Sequence, residues 1–176
     1  MNDSDVQSRA ARIKLLLMDC DGVMTDGRLW LLEENDDQKA FHSHDGFGIG
    51  LLHRAGLHSG VISGRESTAL ARRAHWLGMS YVRQGCEDKE QAFAEIVAEA
   101  GLTNAEVAFA GDDLNDIPLI LQAGLGIAVA DAVAETRQHA HYVTQARGGR
   151  GAVREIVELI LKSQGRWDEV LRRYLR

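Results

Sequence analysis

Short runs of consecutive apolar residues recur along the chain, separated by segments of helical spacing, and this rhythm constrains the fold more than any other feature. The runs lie at residues 13–18, 57–62, 80–82, 107–110, 126–129 and 142–143. A strand with one wet face alternates polar and apolar positions, whereas a strand that is apolar throughout is buried on both faces, as in a parallel sheet covered by helices. Segments 65–77, 89–100, 114–123, 133–139 and 151–161 carry the three-and-four spacing of helices. Strands alternating with helices imply crossover connections and parallel pairing. The expected architecture is α/β, a Rossmann-like parallel sheet flanked by helices.

One segment departs from the alternation. Residues 28–33 and 38–43 flank the polar stretch Glu34-Asn35-Asp36-Asp37, which predicts a β-hairpin inserted between the first strand and a helix starting near Gly46. Its run Leu29-Trp30-Leu31-Leu32 is poorly suited to water on either side and reads as an oligomer contact. With one proline and no Ser/Gly/Pro-rich linker or repeat, nothing divides the chain. Residues 1–176 read as a single domain, with a core at 12–162 and a helical tail at 163–176 carrying Trp167, Val170, Leu171 and Tyr174 at helical spacing.

Composition limits the function. The chain is 45% hydrophobic and 26% charged, and it has no apolar run near the ~18 residues that span a bilayer. Residues 1–12 are polar, without the apolar centre of a secretory signal, and the two cysteines, Cys20 and Cys86, are far apart, so a reducing cytoplasm is expected. A formal net charge of -6 disfavours nucleic acid as a partner, and an anionic substrate would need a local positive site.

Carboxylates gather where strands end. Asp19-Cys20-Asp21-Gly22 follows the first strand, and in an extended backbone Asp19 and Asp21 share a face while Cys20 turns into the core. Gly111-Asp112-Asp113-Leu114-Asn115-Asp116 follows the strand at 107–110. Two strands thus deliver carboxylates to the edge where ligands of open α/β sheets bind, although Asp113 reads equally well as a helix cap. Oxygen-only ligands with no competing His/Cys cluster favour Mg²⁺. Ser63-Gly64 ends a third strand before a helix, suited to phosphate oxygens or to capping, and Lys89 opens another helix, where a cation is unfavourable unless an anion is near.

As a set, Asp19-x-Asp21, Ser63, Lys89 and Gly111-Asp112-x-x-x-Asp116 resemble, in order, the four motifs of the haloacid dehalogenase superfamily of phosphotransferases. The resemblance implies Asp19 as nucleophile, Asp21 as general acid and base, and Ser63 and Lys89 as partners of the phosphoryl charge. It places Mg²⁺ on Asp19, Asp112 and the backbone carbonyl of Asp21, with Asp113 and Asp116 in support. Only the hairpin follows the first motif, and residues 64–89 hold one helix and one strand, which leaves no room for a cap domain.

Within that superfamily the chain is similar to the capless 3-deoxy-D-manno-octulosonate 8-phosphate phosphatases. The similar stretches are residues 19–27, Lys39-Ala40-Phe41, Asp45-Gly46-Phe47-Gly48, Gln84-Gly85, residues 111–118 and Gly148-Gly149-Arg150-Gly151-Ala152-Val153-Arg154-Glu155. This similarity implies a homotetramer with active sites completed by neighbours, acting on a sugar phosphate in lipopolysaccharide precursor biosynthesis. The glycine-rich stretch reads as a flexible loop able to order around an anion, and arginine's fork fits a carboxylate or phosphate. Expected substrate contacts are Gly64, Arg65, Asp45, Gly46, Arg83 and Arg150. The alternatives are a nine-carbon ulosonate 9-phosphate as substrate, or a catalytically silent phosphatase-fold assembly module. Arg150 favours the octulosonate, and the intact Asp19, Asp21, Ser63, Lys89 and Asp112 speak against a silent module.

Overall fold

A computed structural model describes residues 3–31 and 37–175. The apolar runs become the strands β1 (Leu15–Met18), β4 (His58–Ile62), β5 (Tyr81–Arg83), β6 (Val107–Gly111), β7 (Leu125–Ala128) and β8 (Tyr142–Val143) of one sheet. Every pairing in it is parallel, in the order β5-β4-β1-β6-β7-β8. All four residues of β1 and all five of β6 are buried, which is why these strands are apolar at every position.

The order reverses at β1. From β1 the chain steps outward to β4 and β5, then crosses back to β6 on the other side. The crevice beyond the carboxyl ends of β1 and β6 is therefore the topological switch point where ligands of such sheets bind. Helices cover the sheet: α2 (Ser43–Arg54) packs on α3 (Thr68–Leu77) and α7 (Ala152–Ser163), while α4 (Lys89–Glu99) and α6 (Ala134–His139) pack on α5 (Ile117–Gln122). In α7 the buried residues Val153, Ile156, Val157, Ile160 and Leu161 repeat at one-face spacing. Phe93 of α4 meets Phe109 of β6 edge to face, with ring centroids 6.4 Å apart.

The hairpin after β1 is present as β2 (Trp30–Leu31) and β3 (Asp37–Gln38), paired antiparallel; Leu32 and most of its predicted turn, Glu34-Asn35-Asp36, lie outside the described residues. Leu29 and Trp30 are exposed.

Several boundaries differ from the sequence expectation for local reasons. The helix expected from residue 65 begins at Thr68, because the Ser67 hydroxyl accepts the Leu70 amide and caps it there. The segment 114–123 divides into a tight 3-10 turn, Leu114–Asp116, and α5, which has Pro118 in its first turn. An additional helix, α1 (Asp3–Ala10), spans residues too polar to show apolar spacing, and it is fastened by Val6, Ala10 and Arg9, whose Nη1 donates to the Gly124 carbonyl at 2.9 Å. The tail forms α8 (Trp167–Arg172) and turns back on its own chain, with Trp167 and Val170 against the core. Among the described residues no helix is long and apolar enough to cross a membrane.

Phe109 is fully buried at the centre of the sheet. Phe109→Ala is expected to lower unfolding stability by about 3–5 kcal/mol in urea titration; a change below about 1 kcal/mol would show that the two rings do not anchor the layer between β6 and α4.

Candidate active site

The site begins where β1 ends. The Asp19 amide donates to the Ala110 carbonyl at 2.9 Å, continuing the ladder between β1 and β6 by one residue, and the chain then leaves the sheet through the turn Cys20–Met24. Cys20 faces the core and is fully buried. Lys89, at the start of α4, sends its Nζ to Asp19 Oδ1 and Asp116 Oδ1, each at 2.8 Å. The side chain of Asp88 caps α4 by accepting the Gln91 amide, so Lys89 is held at a helix N-terminus where its own dipole is unfavourable and the two carboxylates compensate.

The loop after β6 is tied from within. Asp116 is fully buried, and its Oδ2 accepts the amides of Asp112 at 2.9 Å and Asp113 at 3.4 Å. Both oxygens of Asp116 are thus engaged, one by Lys89 and one by the loop backbone. Asp113 accepts the Leu114 amide at 2.7 Å and caps the short turn.

Asp19, Asp112 and Asp116 each offer an oxygen within 4.8 Å of the others. Burial, then the charge of Asp116, raises Asp19 from 3.8 to about 6 against the pull of Lys89. Burial, followed by Asp19, Asp116 and Asp113, pushes Asp112 up to about 8. Burial also disfavours the Lys89 ammonium, but Asp19 and Asp116 outweigh it and its pKa is raised. One ammonium does not neutralise this cluster, and the donors are all hard oxygens, which fits a divalent cation such as magnesium. With both oxygens of Asp116 engaged, Asp19 and Asp112 are the carboxylates that could hold such a cation. Gly22 closes the cradle: at φ +100° its backbone lies so near that a Cβ would sit 2.0 Å from Asp112 Oδ2.

Ser63 follows β4 at the same edge. It is 2% exposed, its amide donates to the Arg83 carbonyl, and its hydroxyl accepts the Arg65 amide at 3.2 Å. Gly64 is exposed beside it, and Arg65 extends Nε to 3.7 Å from Asp21 Oδ2. Lys39, to which the sequence reading assigned no role, places Nζ 2.5 Å from Asp21 Oδ1.

The remaining predicted contacts are dispersed. Arg150 is tied to Asp26 at 3.3 Å, at the outer end of the loop after β1. The glycine-rich stretch is not loose: a Cβ on Gly148 would lie 1.6 Å from the Gly22 carbonyl oxygen, and the Gly149 amide donates to the Val23 carbonyl at 2.9 Å. Asp45 is buried and accepts the amides of Gly151 at 3.2 Å and Arg154 at 2.8 Å, so its carboxylate caps α7. Gly46 lets Arg73 pass, since a Cβ there would meet the guanidinium at 2.2 Å. Arg83 is paired with Glu99 at 2.7 Å. The structure therefore gathers Asp19, Asp21, Ser63, Gly64, Arg65, Lys89, Asp112, Asp113 and Asp116 at one edge, sets Arg150 at its rim, uses Asp45 and Gly46 in packing elsewhere, and turns the Arg83 side chain to Glu99 while its carbonyl holds the Ser63 amide.

The class is that of the haloacid dehalogenase-like hydrolases, whose family model matches residues 78–156. The 3-deoxy-D-manno-octulosonate 8-phosphate phosphatase of Yersinia pestis is 44% identical over 164 residues, covering 93% of this chain and 88% of that relative. Its namesake in Escherichia coli K12 is 38% identical over 166 residues, covering 94% and 88%. A crystal structure of the Moraxella catarrhalis enzyme of the same name, in complex with magnesium, phosphate and KDO, is 37% identical with a TM-score of 0.95, covering 98% of this chain and 99% of that one. The chain belongs to the 3-deoxy-D-manno-octulosonate 8-phosphate phosphatase family.

The raised carboxylates fix the sign of a pH effect. The folded chain keeps protons on Asp19 and Asp112 to about 6 and about 8, above their ordinary 3.8, so it binds more protons than the unfolded chain in between. Stability is then lost as pH rises through this window. With chelator present, the thermal midpoint is expected to fall between about pH 5 and about pH 8.5, Asp112→Asn to flatten the upper part, and magnesium to raise the midpoint more at the alkaline end. A flat profile unaffected by magnesium would contradict the cluster's charge imbalance.

Proposed function

We propose that the chain is a magnesium-dependent phosphatase hydrolysing 3-deoxy-D-manno-octulosonate 8-phosphate to the free octulosonate and phosphate. The observation that carries this is Asp19, buried and held by Lys89 at the switch point of the sheet, with Asp112 in reach and Asp21 two residues after Asp19 on the same loop. The Yersinia and Moraxella relatives carry that activity in their names.

The chemistry runs in two displacements. A carboxylate oxygen of Asp19 attacks phosphorus, the ester bond breaks, and the departing sugar oxygen takes a proton from Asp21. The chain then carries an aspartyl-phosphate. Asp21, now a carboxylate, takes a proton from water as that water attacks phosphorus; inorganic phosphate leaves and Asp19 is restored. Lys89 and the hydroxyl and neighbouring amides of Ser63 offset charge on the phosphoryl oxygens. Magnesium, held by the carboxylates of Asp19 and Asp112 and the backbone carbonyl of Asp21, supplies further neutralisation of that charge when bound.

The substrate's second anion is its carboxylate, for which Arg65 and Arg150 at the rim offer planar forks. Among the described residues no cap domain stands above the edge, and the hairpin presents Leu29 at 44% and Trp30 at 61% exposure. These support a homotetramer in which neighbouring subunits complete each site; the proposed substrate, in turn, implies work in the cytoplasm on precursors of lipopolysaccharide.

Purified protein with magnesium is expected to release phosphate from the octulosonate 8-phosphate in preference to a nine-carbon ulosonate 9-phosphate, and Asp19→Asn to reduce the rate by more than about 10³-fold. Preference for the nine-carbon ester would overturn the substrate and keep the mechanism. Absence of magnesium-dependent release from either would leave a silent assembly module.

A further inference from the structure

Lys39 stands outside the motifs that carry the proposed chemistry, yet its side chain is only 1% exposed, less than the 7% of Lys89. Burying an ammonium is costly unless a carboxylate receives it. The carboxylate is Asp21: Nζ lies 2.5 Å from its Oδ1, a short charge-assisted hydrogen bond. Arg65 approaches the other oxygen, Oδ2, only to 3.7 Å and from a half-exposed position. The two cations are thus unequal, one gripping Oδ1 and the other standing off Oδ2.

This asymmetry bears on the proton. An oxygen that accepts from an ammonium at 2.5 Å is a poor place for the carboxyl hydrogen, since proton and ammonium would compete for the same oxygen. We propose that Lys39 is a positioning residue for the reaction: it clamps Asp21 through Oδ1 so that Oδ2 carries the proton given to the leaving sugar oxygen and later taken from water. The inference rests on Asp21 being the acid and base. The clamp comes from outside the sheet, because Lys39 directly follows β3 of the hairpin.

The leaving group tests the clamp. An alkyl phosphate such as the octulosonate ester departs as an alkoxide and needs the proton, whereas 4-nitrophenyl phosphate departs as a stable phenolate and does not. Because kcat/KM reports steps up to departure of the leaving group, Lys39→Met is expected to lower kcat/KM about 10–100-fold for the sugar phosphate and less than about 3-fold for the aryl ester. With the aryl ester a burst of nitrophenolate is expected, since hydrolysis of the aspartyl-phosphate still needs Asp21. Lys39→Arg, which keeps a cationic donor, is expected to recover most of the loss, and Lys39→Gln, compact and neutral, to fall between; the Gln variant carries the comparison if the Met variant's thermal midpoint shows it unfolded. Equal losses on both substrates would mean a merely structural lysine, and unchanged kinetics would mean no role; either overturns the proposal. Asp21→Asn, measured alongside, separates the two claims. If it keeps sugar-phosphate turnover, the acid–base reading fails. If it shows the leaving-group bias and Lys39→Met does not, only the clamp fails.

Discussion

The ammonium of Lys89, held at 2.8 Å from both Asp19 and Asp116, joins three pieces of chain far apart in sequence: the end of β1, the start of α4 and the loop after β6. None of these pieces satisfies itself. Lys89 at a helix N-terminus opposes the dipole, and a buried Asp19 or Asp116 without a cation would be expelled or neutralised. Their meeting requires β1 and β6 to be neighbours with ends in register, and the pairing of Met18 with Ala110 supplies this. The interaction is also incomplete, because Asp112 adds a further carboxylate to a group that one ammonium serves, and burial with its neighbours pushes it up to about 8. A site built this way is stable enough to form and still strongly disposed to accept a cation.

A second set of contacts keeps the loop after Asp19 from relaxing away from that charge. Gly22 lies against Asp112, Gly148 lies against the Gly22 carbonyl, and the amide of Gly149 is bonded to Val23. Behind them Asp131 holds the Gly148 amide at 2.9 Å, and Asp45 caps α7 through Gly151 and Arg154. The glycines are needed because backbone meets backbone at distances no side chain allows. The loop that reads in sequence as free to fold around an anion is instead a wedge. Its arginine, Arg150, projects from a base fixed by backbone contacts toward Asp26.

Legibility in the sequence follows the range of the forces involved. Strands buried on both faces show as unbroken apolar runs, and the residues bonded by Lys89 stand in short motifs directly after them, so the sheet and the carboxylate edge were readable from local pattern. Asp45 was not, since nothing nearby shows that its partners are amides more than a hundred residues later. Arg83, expected to contact substrate, sits at the carboxyl end of β5, but Glu99, at the last turn of α4, takes its guanidinium. The helix α1 escaped notice because it is fastened by two small contacts and one arginine rather than by an apolar stripe. Lys39 lay inside a recognised stretch without a role, because a lysine in a polar segment looks solvated until the fold buries it.

That last residue changes how the hairpin is understood. As a two-stranded element outside the sheet it adds little to the core, and its Leu29 and Trp30 are exposed. Yet the chain leaving it delivers the ammonium that grips Asp21. A segment with exposed apolar residues at one end and the Asp21 carboxylate at the other would transmit its own placement to the proposed chemistry. The carboxylate edge of the sheet is fixed by β1, α4 and β6 and gathers Asp19, Lys89, Asp112 and Asp116 without help from the hairpin. Orientation of Asp21 is delegated to the part of the molecule least supported by the core, and a short ion pair with a buried cation is the kind of contact that makes such delegation reliable.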